Sequence, residues 1–145
     1  MHGSQAAFSL EVCENPDAAQ LLPIEKGLNE FNDMITGMGD RKPLSVLVTS
    51  TQTGQVVGGM QGRTSLGLLF IDLFYLPPAL RGMGVGSDIL QRFEEEGRKR
   101  GCSAGFLYTI SFQAPDFYKK HGWEEFGRID CQPAGTSRIF MKKSL

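Results

Sequence analysis

Apolar and polar residues alternate from Phe8 to Cys13, and again from Leu44 to Thr49, where valine is frequent. Alternation with period two puts one set of side chains on a buried face, so both segments are expected to be strands. Thr51-Gln52-Thr53-Gly54 has the composition of a hairpin turn. Gln55 to Thr64 is then the returning strand, weakened by Gly58, Gly59 and Gly62. Gly67 to Leu76 is apolar on both faces, the pattern of a central strand. Between these strands, Asn15-Pro16-Asp17 signals a helix start. The region from Ala18 to about Met38 is loosely helical, and Pro23 and Gly27 within it predict two short helices. The best helix runs from Val85 to Arg100. Val85, Ile89, Leu90, Phe93 and Gly97 form its apolar stripe, and Glu94–Arg98, Glu95–Lys99 and Glu96–Arg100 are acid-before-base pairs on what reads as a solvated face. Gly101 ends it. Beyond it the pattern gives a strand from Ala104 to Ile110 and a short helix from about Pro115 to His121-Gly122. Two closing strands follow, Trp123 to Asp130 and Arg138 to Lys142, joined by Pro133-Ala134-Gly135-Thr136.

Composition narrows the class. A chain of 145 residues is expected to form a single domain, 1–145, with a real core. A net charge of −1 gives no electrostatic reason to expect a nucleic-acid partner. The three cysteines, Cys13, Cys102 and Cys131, are odd in number and lack metal-ligand spacing, so neither a disulfide framework nor a zinc site is expected. The N-terminus has no basic start followed by an apolar run. The longest apolar stretch, Leu66 to Leu80, is broken by Asp72 and ends in Pro77-Pro78, too short and interrupted for a membrane span. A reducing cytoplasmic location and no membrane partner are the expectation.

The chemistry concentrates in Arg81-Gly82-Met83-Gly84-Val85-Gly86-Ser87. Alternate glycines let the backbone approach a ligand and take left-handed angles. The N–H groups opening the following helix have no partner within it, and the helix dipole adds positive character. Strand, glycine loop and helix start together form a phosphate cradle. A Walker loop is excluded, because no Gly-Lys-Ser/Thr is present. A dinucleotide fingerprint fits poorly: the spacing is Gly82-x-Gly84-x-Gly86, and the next strand, Phe106 to Ile110, has no acidic residue for a ribose.

Arg81-x-x-Gly84-x-Gly86 resembles the acetyl-CoA pyrophosphate loop, Q/R-x-x-G-x-G/A, of the GNAT superfamily of N-acetyltransferases. Ser111-Phe112-Gln113-Ala114-Pro115-Asp116-Phe117-Tyr118-Lys119-Lys120-His121-Gly122-Trp123 is similar to that family's N-x-x-A-x-x-F-Y-x-x-x-G-F segment. Both segments occur in the family's order, separated by one helix and one strand. Ser111 replaces the frequent Asn, Trp123 replaces Phe, and Pro77 stands where an acidic residue is usual. The resemblance implies an α/β (α+β) fold: a mixed, mostly antiparallel sheet of about six or seven strands, flanked by helices and splayed at a cofactor cleft. It implies acetyl-CoA as co-substrate, no metal, and direct attack by an amine in a ternary complex.

By that resemblance, the amides of Gly82, Met83, Gly84, Val85, Gly86 and Ser87 face the pyrophosphate, and Arg81 adds a cationic contact. The backbone of Phe74, Tyr75 and Leu76 pairs with the pantetheine arm as an added strand would. Ser111 belongs to the same cofactor-binding set. An N–H at Leu76 or a neighbour would stabilise the oxyanion. Tyr118 matches the tyrosine that protonates the leaving thiolate in many members. Asp72 interrupts the central strand, and alternation puts it on one face with Phe70, Phe74 and Leu76. It is read as a base or substrate anchor, or as the structural partner of an arginine such as Arg63; a carboxylate of ordinary pKa, about 3.9, needs burial to become a useful base. His121, at a helix C-terminus, is better read as a favourably placed cation than as a general base. Asp116 complements the dipole of its own helix. Tyr108 on the strand flanking the cleft, and Glu30, Phe31 and Asn32 in the early helical region, are candidates for the acceptor side. The acceptor stays open between a small-molecule amine and a protein lysine. A homodimer, common in the family, is also open. The alternative function is a non-catalytic acyl-CoA-binding sensor or regulatory module.

Overall fold

The computed structural model describes residues 7–145. They divide into two compact units, one ending at Gly39 and the other running from Asp40 to Leu145.

The first unit is built on one helix, α1 (Ala18–Thr36). Asp17 caps it, its carboxylate accepting from the Gln20 N–H at 2.8 Å while the Gln20 side chain accepts from the Asp17 N–H at 3.0 Å. This reciprocal pair fixes the start. The two-helix expectation is corrected here, since the helix runs unbroken through Pro23 and Gly27. Pro23 lies early in the helix, where the cost is one hydrogen bond to the first turn, and a single glycine costs only about 1 kcal/mol. Phe8 to Cys13 forms no strand, contrary to its alternation. Alternation marks a face to bury, but a strand exists only with a ladder partner, and no strand pairs with this segment.

The second unit is a six-stranded sheet in the order β1-β2-β3-β4-β6-β5. The strands are β1 (Lys42–Thr49), β2 (Val56–Ser65), β3 (Leu68–Tyr75), β4 (Ala104–Ile110), β5 (Glu124–Cys131) and β6 (Thr136–Ser144). All neighbours are antiparallel except β3 and β4, which run parallel and therefore need a crossover. The crossover contains a short 3-10 turn at Pro78–Leu80 and the helix α2 (Val85–Lys99). A short helix, α3 (Pro115–Lys120), links β4 to β5. Ile89, Leu90 and Phe93 of α2 are buried together with Leu69 and Ile71 of β3, Leu107 of β4, and Ile139 and Met141 of β6. Arg100, just past α2, donates to the carbonyls of Lys42 and Pro43 and to the Thr64 hydroxyl, tying the helix end to β1 and β2. Among the described residues, no helix is long and apolar enough to cross a membrane.

One irregularity in β3 matters for the site. Gln61 pairs with Leu73 and Gly62 with Ile71, leaving Asp72 as an extra residue, a β-bulge. Gly62 permits it: a Cβ there would run into the Phe70 carbonyl. The bulge overturns the alternation argument. Ile71 is buried, and beyond the bulge Phe74 packs against the same core while Leu76 is buried in it. Phe74 and Leu76 thus share the core side with Ile71, and Asp72 is exposed rather than buried within a strand.

Candidate active site

The parallel ladder between β3 and β4 runs from Leu68 opposite Ala104 to Ile71 opposite Leu107 and then stops, although β3 continues to Tyr75 and β4 to Ile110. The two strands splay. Beyond Ile71, the polar backbone groups of β3 that face β4 have no ladder partner, which makes that edge a template for an amide-bearing chain. A cleft of about 740 Å³ opens at this point. Its walls are Ile71 to Tyr75 of β3 and the adjoining Leu76, Leu107 to Thr109 of β4, the glycine loop, and parts of the segment from Phe112 to Tyr118.

The glycine loop forms one end of the cleft. Gly82 and Gly84 have φ of 78° and 87°, and a Cβ at either would meet nothing within 4 Å. Backbone conformation, not space, calls for glycine there. The Asp88 N–H is the first in α2 to reach a backbone acceptor, the Gly84 carbonyl at 3.1 Å. The N–H groups from Gly82 to Ser87 make no such bond, and they converge at a helix start that carries partial positive charge. Arg81 lines the cleft, and its Nε donates to the Leu76 carbonyl at 2.9 Å, holding the guanidinium between the loop and the end of β3. Met83 and Val85 do not line the cleft; Met83 is exposed and Val85 packs against the core, so their contribution is limited to the backbone.

At the other wall Phe117 stacks on Phe74 at 5.6 Å, and Gly86 leaves room for its ring edge. This contact packs α3 against the start of α2. Tyr118 lines the cleft yet is only 4% exposed as a residue. Its hydroxyl has no hydrogen-bond partner among the described residues, and burial pushes the phenol well above its ordinary pKa. It is a neutral phenol beside the gap between the strands.

Glu94 does not lie on the solvated helix face expected of it, and that expectation is corrected. It is 4% exposed and accepts from Trp123 Nε1 at 3.0 Å and from Lys143 Nζ at 2.6 Å, while the expected i,i+4 pair with Arg98 also forms, at 3.5 Å. Lys143 also donates to the His121 carbonyl at 2.6 Å. One buried carboxylate thus joins α2, β6 and the end of the Tyr118 helix. The sequence carries a signal for it: the apolar stripe at Leu90, Phe93 and Gly97 flanks position 94, and a buried indole N–H needs an acceptor. The other two pairs divide, Glu96 reaching Arg100 at 3.0 Å while Glu95 accepts from Gln91.

The remaining candidates are dispersed. Asp72 lines the cleft, exposed on its bulge, with no hydrogen bond or ion pair among the described residues. Arg63 sits instead over the Phe70 ring at 4.6 Å. Tyr108 lines the cleft, with the Arg138 guanidinium 5.0 Å from its ring centre. Ser111 does not line it; its hydroxyl accepts from the Ser137 N–H at 2.9 Å and fixes the start of β6. Gln113 does line it, and its side-chain carbonyl accepts from the Ile110 N–H at 3.1 Å, shaping the turn into α3. Glu30, Phe31 and Asn32 belong to α1, in the first unit, whereas every residue lining the cleft belongs to the second.

A strand splayed from its parallel neighbour, a glycine loop of free amides and a tyrosine opening between them define a CoA-dependent acyltransferase type of site. The family comparison agrees: the acetyltransferase (GNAT) family model matches residues 7–123, and the chain belongs to that family. It is 30% identical over 127 residues to acetyltransferase Atu2258 of Agrobacterium fabrum, covering 88% of this chain and 92% of that protein. It is 32% identical over 112 residues to blasticidin-S acetyltransferase of Streptomyces morookaense, covering 74% and 82%. The crystal structure of an Agrobacterium tumefaciens protein described as an acetyltransferase superimposes with a TM-score of 0.89 at 28% identity, covering 95% of this chain and all of that one. The protein is an acetyltransferase of the GNAT family, with the mixed, splayed sheet that the sequence resemblance implied.

Proposed function

We propose that this protein transfers the acetyl group of acetyl-CoA to a primary amine of a small molecule by direct attack in a ternary complex. The observation that carries the reading is the run of unpartnered amides from Gly82 to Ser87 at one end of a cleft that Tyr118 lines. The amides and Arg81 hold the pyrophosphate, and the free edge of β3 from Phe74 to Leu76 pairs with the pantetheine arm. That places the thioester in the gap between β3 and β4. The amine nitrogen attacks the thioester carbon, and an N–H near Leu76 stabilises the oxyanion. The C–S bond then breaks, and the Tyr118 hydroxyl gives its proton to the thiolate sulfur. Burial favours the neutral phenol, so this transfer depends on the ammonium of the tetrahedral intermediate, whose positive charge favours the phenolate. The ammonium proton leaves through water or Asp72, and Tyr118 is reprotonated from solvent.

Asp72 is best suited to hold the ammonium of the incoming acceptor, being exposed and without an ion pair among the described residues; that ammonium gives one proton to water, and the neutral amine so formed is the species that attacks. Tyr108, with Arg138 over its ring, also lines the cleft. A small acceptor is favoured over a protein lysine because the relative from Streptomyces morookaense is named for a small-molecule substrate. The test is thiol release from acetyl-CoA against a panel of small amines and a lysine-containing peptide, alongside calorimetric binding of acetyl-CoA. Turnover with a small amine supports the reading. Turnover with the peptide alone would reverse the acceptor class, and tight binding without turnover on any amine would favour an acyl-CoA sensor.

A further inference from the structure

His121 does not sit free at the end of α3. Its Nε2 lies 2.9 Å from the Ser87 hydroxyl, in a partly buried contact between the end of the Tyr118 helix and the first turn of α2. Ring and backbone are both held. Phe117 meets the ring edge-on at 5.0 Å, and Lys143 fixes the His121 carbonyl. Ser87 lines the cleft with the glycine loop. Two elements that the proposed reaction must keep in register, the pyrophosphate loop and the general-acid helix, are therefore joined by one hydrogen bond whose direction depends on a proton.

A serine hydroxyl has one proton to give. When His121 Nε2 is unprotonated, it accepts that proton, and Ser87 then presents only lone pairs to the cleft. When Nε2 carries a proton, in the neutral Nε2–H tautomer or in the imidazolium, the imidazole donates to Ser87 Oγ and the hydroxyl proton is free to point at a phosphate oxygen; only the imidazolium adds a positive charge that such an anion attracts. Building on the acetyl-CoA reading, we infer that His121 is a positioning residue for the donor: it orients the Ser87 hydroxyl toward the pyrophosphate, and acetyl-CoA binding is coupled to protonation of its Nε2. The charged groups around it fit this role. From β6, the Lys143 ammonium ends on the His121 carbonyl and Glu94, not on the ring. On α2, Asp88 beside Ser87 is paired with Arg92 at 2.9 Å. On its own helix, Lys119 and Lys120 are exposed. Among the described residues no carboxylate bonds to the imidazole, which leaves an anion beyond Ser87 as the group that rewards the protonated form.

The test measures the Kd of acetyl-CoA for the full chain at pH 6.0 and 8.5 by calorimetry, in wild type, His121→Gln and Ser87→Ala. The amide that the first substitution introduces can donate to Ser87 at every pH and does not titrate. Titration of the cofactor's own phosphate affects all three proteins alike. From pH 6.0 to 8.5, the ratio of wild-type to His121→Gln affinity should fall by about ten-fold, the scale of one hydrogen bond to an anion. Ser87→Ala should lose the same pH-dependent part, which keeps the test open even if one variant folds poorly. S-acetylpantetheine, which carries the thioester arm without phosphates, should show no such difference. An unchanged ratio at both pH values overturns the inference. If wild type binds acetyl-CoA no more tightly than S-acetylpantetheine, the donor-site reading itself fails, and the two failures are distinct.

Discussion

Replacing Glu94 by alanine tests the packing that holds the site together. The side chain is 6% exposed, and Lys143, its closest partner, is 20% exposed. Removing the carboxylate strands an ammonium that keeps only the His121 carbonyl, and it leaves the Trp123 indole N–H without an acceptor in a residue that is 2% exposed. Breaking a buried ion pair from one side costs about 3–5 kcal/mol, and an orphaned buried donor about 1–3 kcal/mol. Lys143 can recover some hydration, and the two penalties share one cavity, so the low end applies: about 3 kcal/mol. With a urea slope of about 2 kcal/mol/M, the unfolding midpoint should fall by about 1.5 M. Glu94→Gln keeps an acceptor for the indole and should recover about half of the loss. Adding Lys143→Met to Glu94→Ala removes the orphaned ammonium and should also restore part of it. A Glu94→Ala midpoint within about 0.3 M of wild type would refute the burial argument and return Glu94 to the solvated face that its neighbours suggest.

Four further outcomes follow from the site. Tyr118→Phe should lower kcat by about 10²-fold or more while leaving the acetyl-CoA Kd nearly unchanged, as expected when only a general acid is lost; equal turnover would remove that role. Because burial raises the Tyr118 pKa above its unfolded value, the native state holds its proton more tightly, so the associated stability is full below about pH 10 and is lost as pH rises toward the folded value. Alkaline melts of Tyr118→Phe should lack that component of the decline. Gly84→Ala forces a side chain into φ of 87° with nothing to clash against; it should cost about 1–2 kcal/mol in a denaturant titration and weaken acetyl-CoA about ten-fold as the loop amides turn. Asp72→Asn should raise KM for a cationic amine about five- to ten-fold with the acetyl-CoA Kd unchanged, and a KM that does not move would remove the anchor.

The glycine loop and its unpartnered amides were legible because they are made of backbone. Gly82 and Gly84 announce positive φ and Gly86 a close approach, and helix starts leave amides unpaired, so a sequence pattern is enough to place them. β4 and the start of α2 fell where the pattern put them for the same local reasons. Glu94 was not legible as a buried group, because a helical charge pattern reports neighbours along one helix and not the indole and lysine that arrive from β5 and β6. Phe8 to Cys13 failed for a related reason: alternation is local, but a ladder partner is not. Pro23 failed because a proline is a local signal, whereas α1 starts at the capping box of Asp17 and Gln20 and runs on through it to Thr36.

Asp72 gives the sharper case, because its misplacement came from one extra residue. Strict alternation sends Asp72 to the face of Phe74 and Leu76. The bulge opposite Gln61 and Gly62 shifts the phase, so the apolar residues on either side return to the core and the carboxylate stays out. The same residue marks where the β3–β4 ladder ends, one position after the last pair, Ile71 with Leu107. Bulge and splay therefore coincide: the slip that exposes an anion also frees the strand edge that receives the donor. In the proposed mechanism, an acceptor held by Asp72 would be delivered to the gap assigned to the thioester, so one irregularity of register would serve both substrates. Restoring alternation by deleting Asp72 should accordingly damage both, weakening acetyl-CoA as β3 regains its pairing and raising the acceptor KM, whereas Asp72→Asn should affect the acceptor alone. Equal effects of the deletion and the substitution on acetyl-CoA affinity would separate the bulge from the cleft.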